Sequence, residues 1–279
     1  MTKIHRLKLT DIQKIKEMME YVKPGVASNI FFEGKFTLFP VDILHDLLPI
    51  NKKFLQECYV ASKDKELLGL IGLIPDGKQK TRWKINRLVL DTNAYEVGKQ
   101  LIDYVVNKYG GAGVETFITA IDENYAEAIA LFKNACGFRS YTKIHIWEKD
   151  NPKVEKLSQD LQLLREVKSF DARNLYELDQ ESLFPQFRTS LTKNISDFKF
   201  GLESQLINSF RNLKVKRFVL DNPARNAIEG YIWINSRDNK NFWVDIVLSL
   251  AYQDYYEDLL NYVIKYINKQ NQNIKLYIY

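Results

Sequence analysis

The chain has 279 residues, of which 46% are hydrophobic and 13% aromatic, so it can bury a core in each of two domains of ordinary size. Its net charge of +5 results from 40 basic and 35 acidic residues spread along the chain, a balance that does not favour nucleic-acid binding. The balance is typical of a mildly basic surface, or of a local site for an anionic cofactor or substrate.

Cys58 and Cys136 are the only cysteines and lie far apart, and His5, His45 and His145 are scattered as well. No disulfide framework, redox motif or metal site is therefore predicted. The N-terminus has no apolar signal core behind its basic residues, and no run of about 18 apolar residues occurs. We therefore expect a cytoplasmic protein that contacts no membrane.

The first half opens with a strand and a helix. Residues 4–9, IHRLKL, alternate as a short strand does, and residues 10–22 place their apolar side chains on one helical stripe after a Thr or Asp cap. The stretch 24–57 is irregular, with short helices expected around PVDILHDLL and NKKFLQ. Residues 58–74 predict a hairpin, and residues 81–90 predict a third consecutive strand.

A helix, a strand, another helix and a final strand follow. The first of these helices is VGKQLIDYVVNKY, residues 97–109, and GGAG ends it. The apolar run VETFITAI, residues 114–121, predicts a buried strand. The helix over residues 124–135 stops at Gly137, and YTKIHIWEKD, residues 141–150, predicts the final strand of this half.

The same order of patterns recurs after the polar linker at residues 149–160. The opening strand and helix, the hairpin, the third strand, the long helix and the apolar last strand each have a counterpart. The matching positions pair Trp83 with Trp243, Gly69 with Gly230 and Tyr104 with Tyr262. We therefore predict an internal duplication, with an N-terminal domain over residues 1–150 and a C-terminal domain over residues 161–279.

The loop DTNAYEVGK leads from the third strand into a helix whose first amide groups have no partner within the helix. Gly98 would let the backbone turn tightly there, and the partial positive charge of a helix N-terminus favours an anion such as phosphate. Because the loop has only one glycine, the pattern also fits an ordinary strand-to-helix turn.

The order of elements resembles the GNAT superfamily of acetyl-CoA-dependent N-acetyltransferases: antiparallel strands, this loop and helix, a strand, a helix ending in CGF and a last strand. The resemblance covers residues 1–150 in full and residues 161–279 more faintly. It implies an α/β (α+β) fold of two tandem GNAT-like domains, each a mixed, mostly antiparallel twisted sheet flanked by helices. It also implies acetyl-CoA, or coenzyme A, as the cofactor.

By this resemblance, the loop holds the pyrophosphate of coenzyme A, although Ala94 and Glu96 stand where the family commonly has glycine. Glu96 is therefore expected to point away from the phosphates. The strand RLVL would separate from VETFITAI and offer its backbone to the pantetheine arm and the thioester carbonyl, and Asn124 would contact pantetheine. The implied cofactor-binding residues are Leu88, Val89, Leu90, Ala94, Tyr95, Glu96, Val97, Gly98, Lys99, Asn124 and Phe132.

The family often has a tyrosine on the CGF helix as the general acid for the thiolate leaving group. Here the spacing to CGF is one residue longer, and Phe132 or Lys133 takes the equivalent position. Tyr125 and Tyr141 are near substitutes and are the candidate acids, although each also fits a structural role.

A carboxylate, or a water chain that leads to one, normally removes the proton of the acceptor amine before it attacks the thioester. Glu33, Glu57 and Glu123 could each reach a cleft, and the sequence does not rank them. Glu33 is included among the catalytic candidates together with the two tyrosines.

The second half differs at the equivalent loop, AYQDYYED, which has no glycine. Asp254, Glu257 and Asp258 surround the start of its helix and would occupy the anion site themselves. No counterpart of the Asn124 helix follows. The resemblance therefore implies a degenerate GNAT domain that has lost the cofactor.

Three functions fit these observations. The first is an acetyl-CoA-dependent N-acetyltransferase whose second half shapes the acceptor pocket. The second is a tandem aminoacyl transferase similar to the Fem peptidoglycan enzymes, and the third is a non-catalytic acyl-CoA-binding regulatory module. The expected partner is a small-molecule or peptide amine that no motif identifies, and the question of a homodimer stays open.

Overall fold

The computed structural model describes residues 2–21, 57–64, 66–76, 81–91, 95–155, 161–201, 205–206, 208–209, 213–271 and 273–278. Contacts divide the chain into two compact units, Met1–Ser140 and Tyr141–Tyr279. Each unit contains one mixed sheet with helices on its faces, so the predicted fold class is confirmed. The predicted short helices between residues 24 and 56 lie outside the described residues.

The first unit has a five-stranded sheet in the order β1-β2-β3-β4-β5. β1 to β4 pair antiparallel, and β5 pairs parallel with β4. The strands are β1 Lys3–Arg6, β2 Glu57–Lys63, β3 Glu66–Pro75, β4 Arg82–Leu90 and β5 Thr116–Ile118.

Helices cover both faces of this sheet, which explains the nearly continuous apolar runs in β2 and β3. α1, Ile12–Tyr21, places Ile15 and Met18 in a core on one face. α2, Tyr95–Gly110, buries Leu101 and Val105 against the other face. A further helix, α3, Ala126–Ala130, continues into a π-helical turn, Leu131–Ala135, which joins the core on the α2 side.

The second unit has a six-stranded sheet in the order β6-β11-β10-β9-β8-β7. Only β10 and β11 are parallel neighbours. The strands are β6 Trp147–Asp150, β7 Leu164–Glu166, β8 Lys214–Asn222, β9 Ala227–Ser236, β10 Asn241–Leu248 and β11 Lys275–Ile278. The helices are α4 Ala172–Ser182, α5 Pro185–Leu191 and α6 Tyr256–Asn268.

The duplication is visible where each unit turns from its first strand into its first helix. In the first unit His5 Nε2 lies 3.1 Å from Asp11 Oδ2, and in the second Arg165 Nη1 donates to Asp171 Oδ2 at 2.8 Å. Each aspartate also accepts the backbone N–H of the residue three positions earlier, at 2.9 and 2.6 Å. The corresponding aspartate therefore stabilises this turn in both units, with a histidine beside it in the first unit and an arginine in the second.

A second shared feature is a glycine that lets a helix approach the sheet. A Cβ on Gly69 would lie 2.9 Å from Leu90 Cδ2, and a Cβ on Gly230 would lie 2.7 Å from Leu248 Cδ2. The third contact is also matched, because a Cβ at either position would meet the first buried leucine of the following long helix, Leu101 at 3.3 Å or Leu259 at 3.7 Å. The predicted pairing of Gly69 with Gly230 is confirmed.

The predicted pairing of Trp83 with Trp243 is wrong by one residue. The register between β3 and β4 shifts at a bulge that leaves Asn86 without a partner in β3, whereas the β9–β10 register runs without interruption. Trp83 therefore corresponds to Phe242, and both lie in the core under the long helix of their unit. Trp243 lies on the opposite face and stacks on Tyr277 at 4.1 Å.

The predicted final strand of the first half belongs to the second sheet. Only its last four residues, Trp147–Asp150, form a strand, β6, which pairs antiparallel with β11. Charge complementarity favours this position, because Lys275 Nζ lies 2.6 Å from Glu148 Oε1 and 3.6 Å from Asp150 Oδ1. β6 also covers β11, so the apolar C-terminal strand is not an open edge.

Candidate functional site

The parallel strands β4 and β5 touch only at their beginnings. Arg82–Lys84 pairs with Thr116–Ile118, and the hydroxyl of Thr119 then donates to the carbonyl oxygen of Ile85 at 3.0 Å. Beyond that bond, no strand of the described part of the chain pairs with this edge of β4. The two strands therefore enclose an opening at the C-terminal end of β4, as the family resemblance implied.

Backbone groups of β4 line this opening. Asp91 N–H donates to Leu68 O at 2.9 Å, so the backbone of Asp91 faces β3. Successive residues of a strand direct their N–H and C=O groups to alternate edges, so Leu88 and Leu90 face the opening and Val89 faces β3. Among the three predicted residues, the geometry thus favours Leu88 and Leu90 for backbone contacts with a ligand, while the side chain of Val89 fills the core on the α1 side.

The N-terminus of α2 follows the opening. Tyr95 and Glu96 are exposed and Val97 is buried, while Lys99 forms an ion pair with Asp103 one turn later. The hydrogen bond that Lys99 donates to Asp103 raises the pKa of Lys99, so the ammonium stays charged close to the helix start. Ala94 lies outside the described residues.

Gly98 has a different role from the one predicted. It lies inside α2 and is not among the residues with positive φ, so it does not supply a tight turn. A Cβ at this position would lie 2.7 Å from Leu90 Cδ1 and 2.8 Å from Leu131 Cδ2. Glycine lets α2 pack directly on β4 and on the π-helical turn, and a side chain here would displace the ends of Leu90 and Leu131; single-sequence pattern analysis does not detect this contact.

The π-helical turn explains the extra residue before CGF. Cys136 N–H donates to Leu131 O at 3.1 Å, five positions back, and Phe138 N–H donates to Phe132 O at 2.9 Å, six positions back. A π turn accommodates one additional residue within a helix and is frequent at functional sites. Gly137, with φ of 73°, then ends the helix in the left-handed region.

Of the two residues that the family resemblance aligned with the catalytic tyrosine, Phe132 is buried and Lys133 is exposed. Phe132 is 2% exposed, and its ring packs edge-on against Phe138 at 5.1 Å. A phenyl ring cannot donate a proton. The helix therefore supplies packing at this position and no general acid.

The remaining predicted site residues are Asn124, Tyr125, Tyr141 and Glu33. Asn124 is exposed, and both its backbone N–H and its Nδ2 donate to Asp122 Oδ1 at 2.9 Å. Tyr125 is 41% exposed immediately before α3. Tyr141 lies in the second unit, with its ring 6.2 Å from that of Phe187, and Glu33 lies outside the described residues.

Cys136 lies at the end of the π-helical turn, near Asp103 and Lys99. Burial, followed by the Asp103 carboxylate, raises the pKa of its thiol to about 11, although Lys99 opposes the shift. The thiol is therefore protonated at neutral pH and is a poor nucleophile. This disfavours a covalent intermediate on Cys136.

Glu57, a base candidate, is held in a buried network. It is 3% exposed and accepts hydrogen bonds from the hydroxyls of Tyr109 and Tyr59, the latter at 3.2 Å. The two hydroxyls are 2.6 Å apart, and Trp83 stacks on Tyr109 at 4.5 Å. Burial raises the pKa of Tyr109, and its bonds to Glu57 and Tyr59 raise it further.

This network lies at the C-terminal end of α2, roughly 20 Å along the helix from Tyr95 at a rise of 1.5 Å per residue. The described residues already donate two hydrogen bonds to Glu57. The arrangement therefore favours a structural role for Glu57. The sequence signal was the alternation of Glu57 and Tyr59 on the buried face of one strand.

The second sheet repeats the opening with different side chains. Asn241–Val244 pairs with β11, and the rest of β10 continues beyond that pairing. Tyr256 occupies the place of Gly98 and is 41% exposed. Of the three acidic residues predicted to fill the anion site, Asp254 and Glu257 are exposed, and Asp258 is 1% exposed.

Metal-binding clusters and membrane-spanning helices are both absent from the described residues. No group of three or more histidine, cysteine, aspartate or glutamate side chains in that part of the chain could hold a metal ion. None of the helices found there is long and apolar enough to cross a membrane.

The chain consists of two consecutive α/β units, and in each a short parallel strand pair ends in an opening. Residues 29–138 match the model of the acetyltransferase (GNAT) family, and no curated protein sequence gives a match. The first half is therefore a GNAT-family domain.

Two solved structures share the fold over the whole chain. A tandem GNAT protein from the clavulanic acid biosynthesis pathway, determined without acetyl-CoA, is 10% identical with a TM-score of 0.59, and the match covers 100% of this chain and 89% of that one. A GCN5-related N-acetyltransferase from Sphaerobacter thermophilus is 11% identical with a TM-score of 0.59, covering 99% and 85%. The chain thus has the tandem GNAT fold, and the predicted duplication is confirmed.

Proposed function

We propose that the chain is an acetyl-CoA-dependent N-acetyltransferase that binds its cofactor in the first unit and transfers the acetyl group to an amine. The observation that carries the proposal is the opening between β4 and β5 beside the N-terminus of α2. An exposed strand edge and the first amides of a helix are the two backbone features that an extended pantetheine arm and a pyrophosphate require.

The chain's own residues fit the cofactor. The backbone groups of Leu88 and Leu90 would bind the pantetheine arm, and the first amides of α2, from Tyr95 to Gly98, would hold the pyrophosphate. Lys99 adds a positive charge near this helix start. Acetyl-CoA supplies the thioester whose acetyl group is transferred.

Asn86 marks where the opening begins. It is the extra residue of the β4 bulge and is 4% exposed, and its Oδ1 accepts no hydrogen bond from the described residues. An unsatisfied buried acceptor is costly, by about 1 to 3 kcal/mol. A ligand group that donates to Asn86 would remove this cost, so the position fits the acceptor amine or the amide groups of the pantetheine arm.

Proton transfer must use groups other than Phe132 and Cys136. Phe132 cannot donate to the leaving thiolate, and the neutral Cys136 thiol does not accept a proton from the amine. Tyr125, exposed beside the start of α3, is the described candidate for the acid, and Glu33 and Glu123 stay candidates for the base.

A non-catalytic acyl-CoA-binding module is the second candidate, and the observation that favours it is Phe132 in the position of the family tyrosine. An acetyltransferase releases thiol from acetyl-CoA in each turnover, whereas a binding module does not. Binding of acetyl-CoA without release of thiol would favour the module.

The test measures thiol release from acetyl-CoA in the presence of amines of four classes: a small amine, an aminoglycoside, a peptide N-terminus and lysine. We expect saturable release with at least one class, and a loss of at least ten-fold in kcat/KM for acetyl-CoA in Tyr95→Asp. Absence of both binding and release would contradict the proposal.

A further inference from the structure

One face of the second sheet carries charged side chains at positions where a face covered by a helix usually has apolar ones. Arg217 of β8 and Asp245 of β10 each lie directly opposite Trp233 of the central strand β9. Side chains of directly opposed residues share a face of the sheet. Arg217, Trp233 and Asp245 therefore form a row across three strands, which we call the R-W-D row.

The R-W-D row lies on the face that α4 covers. The next row along the strands consists of Val219, Tyr231 and Val247, which pack in the core around Leu175 and Leu178 of α4. Tyr231 and Val219 are buried there, whereas all three members of the R-W-D row are only half-buried. On this face of the sheet, the side chains of the R-W-D row are therefore more exposed to solvent than those of the neighbouring row.

Arg217 has aromatic neighbours and no acidic partner. Its guanidinium carbon lies 3.9 Å from the ring centroid of Phe200 and 4.9 Å from that of Trp233. No carboxylate in the described part of the chain forms an ion pair with it, and its Nε has no hydrogen-bond partner there, although the guanidinium interacts with the hydroxyl of Tyr231. Burial lowers the pKa of Arg217, which reflects the cost of a cation without a counter-ion.

Asp245, at the other end of the row, also lacks a hydrogen-bond partner among the described residues. Burial raises its pKa to about 6, with Lys193 opposing the shift and Asp179 adding to it. Lys193 Nζ is already engaged with Asp179 Oδ1 at 2.7 Å. Asp245 is thus a partly desolvated carboxylate without its own cation.

Trp233 connects the two charges and is held in place. Its Nε1 donates to Asn235 Oδ1 at 2.7 Å, which fixes the orientation of the indole. Neighbouring strands are about 4.8 Å apart, so the Cα atoms of Arg217 and Asp245 are separated by roughly 10 Å. A fixed aromatic surface thus lies between two opposite charges, neither of which forms an ion pair with another described residue, and this arrangement has the form of a binding site.

We propose that the R-W-D row binds a small zwitterion, with its carboxylate on Arg217, its protonated amine on Asp245 and its carbon chain over Trp233. Arginine binds a planar carboxylate through two parallel hydrogen bonds, and the ammonium group supplies the cation that Asp245 lacks. Such a ligand satisfies both charges at once, whereas an anion or an amine alone satisfies one.

This site is independent of acetyl transfer, because it lies wholly within the second unit. Failure of the thiol-release assay would leave it unaffected, and its own failure would not bear on cofactor binding in the first unit. If both hold, the second unit is a ligand-binding domain and not a degenerate copy without a ligand.

The test is saturation-transfer NMR and calorimetry on the full chain with three probes: 5-aminopentanoate, pentanoate and pentylamine. We expect 5-aminopentanoate to bind at least ten-fold more tightly than either of the other two. In Arg217→Gln its affinity should fall to that of pentylamine, and in Asp245→Asn to that of pentanoate. Arg173→Gln, an exposed site on α4, is the matched control and should bind like the parent.

A stability measurement separates a binding arginine from a structural one. Arg217→Met keeps an apolar stem against Phe200 and Trp233 and removes the unpaired charge, so its melting temperature should equal or exceed that of the parent. Three results would overturn the proposal: no binding of 5-aminopentanoate at tens of millimolar, binding that Arg217→Gln leaves unchanged, or a lower melting temperature of Arg217→Met together with retained binding.

Discussion

The two units repeat one topology and differ where a ligand would bind. Both have a short parallel strand pair that ends in an opening, and both keep a glycine, Gly69 or Gly230, beneath the long helix. At the helix start, however, the first unit has Gly98 and the second has Tyr256. Packing positions are therefore retained between the copies, while positions at the opening have diverged.

The strand next to the opening diverges in the same way. β4 has a bulge at Asn86, and β10 continues in register without one. Past the bulge, Arg87 of β4 corresponds to Asp245 of β10. β4 thus differs from β10 by one extra residue and by one reversal of charge. β4 offers a backbone edge suited to pantetheine, and β10 offers a carboxylate suited to an amine.

Gly98→Asp is expected to have the largest effect on stability. Its Cβ would lie 2.7 Å from Leu90 Cδ1 and 2.8 Å from Leu131 Cδ2, and the carboxylate would be buried without a partner. Overpacking costs about 1 to 3 kcal/mol and a buried unpaired charge several more, so the first unit should not fold stably. Circular dichroism during urea unfolding measures this effect.

Tyr256→Gly, the reverse change in the second unit, should cost only about 1 to 2 kcal/mol, because the exposed ring makes few contacts and glycine lowers helix stability by about 1 kcal/mol. Equal effects of the two variants would contradict the different roles assigned to this position.

Tyr109→Phe should destabilise the first unit by about 2 kcal/mol. The phenyl ring keeps the stacking on Trp83, but Glu57 loses one of the two hydroxyls that donate to its buried carboxylate. Tyr262→Phe, which packs on Phe218 at 5.3 Å in the second unit, is the control and should change stability by less than about 0.5 kcal/mol. Equal unfolding midpoints of the parent and Tyr109→Phe would indicate that the Glu57 network does not form.

Asp245→Asn should stabilise the second unit in a pH-dependent way. The folded-state pKa is raised from 3.8 to about 6, so the native state loses stability as pH rises from about 4 to 6 and keeps that penalty above 6. The groups near Asp245 are Asp179, Lys193 and Tyr256.

Asparagine removes the penalty, so the variant should gain on the order of 2 kcal/mol at pH 8 and nothing at pH 4. Thermal unfolding without ligand at both pH values measures this gain. A gain of equal size at pH 4 would contradict ionisation of Asp245 as its cause.

Arg165→His, which places the histidine of the first unit into the second, should have the smallest effect, about 1 kcal/mol at neutral pH. Burial raises the pKa of Asp171, but the hydrogen bonds from Arg165 and from Lys168 N–H outweigh burial and lower it. This stability is present above the unfolded pKa and is lost as pH falls through the lowered folded pKa.

The difference between parent and Arg165→His should therefore shrink toward zero in acid. Urea unfolding at pH 7 and pH 3 compares them. An effect that grows in acid would exclude the Asp171 ion pair as the source.

Much of the architecture was predictable because hydrophobic alternation and helical periodicity are local signals. The five strands of the first sheet coincide with predicted apolar segments, and Gly69 and Gly230 were correctly paired. The error at Trp83 and Trp243 arose because a bulge shifts the register by one residue, and no local pattern marks Asn86 as the extra residue.

The site was less accessible to sequence analysis. The longer spacing before CGF was noticed, but its cause, a π-helical turn over Leu131–Ala135, depends on hydrogen bonding. β6 was placed in the wrong sheet because strand pairing between distant segments follows charge and shape. Arg217, Trp233 and Asp245 were missed because they share a face only once three strands are in register.

The central claim is that coenzyme A binds once per chain, at the start of α2. Calorimetry of acetyl-CoA binding to the parent, Tyr95→Asp and Gln253→Asp tests it, because the exposed Tyr95 begins α2 and its exposed counterpart Gln253 lies three residues before α6. An aspartate at the start of α2 interacts favourably with the helix dipole by about 0.3 to 1 kcal/mol, and Gln253 is exposed, so both variants should fold. A carboxylate roughly 4 Å from the pyrophosphate costs on the order of 4 kcal/mol at a surface-like dielectric.

We predict one site in the parent, a loss of affinity of at least ten-fold in Tyr95→Asp and parental affinity in Gln253→Asp. Two equivalent sites, or a loss confined to Gln253→Asp, would contradict the account.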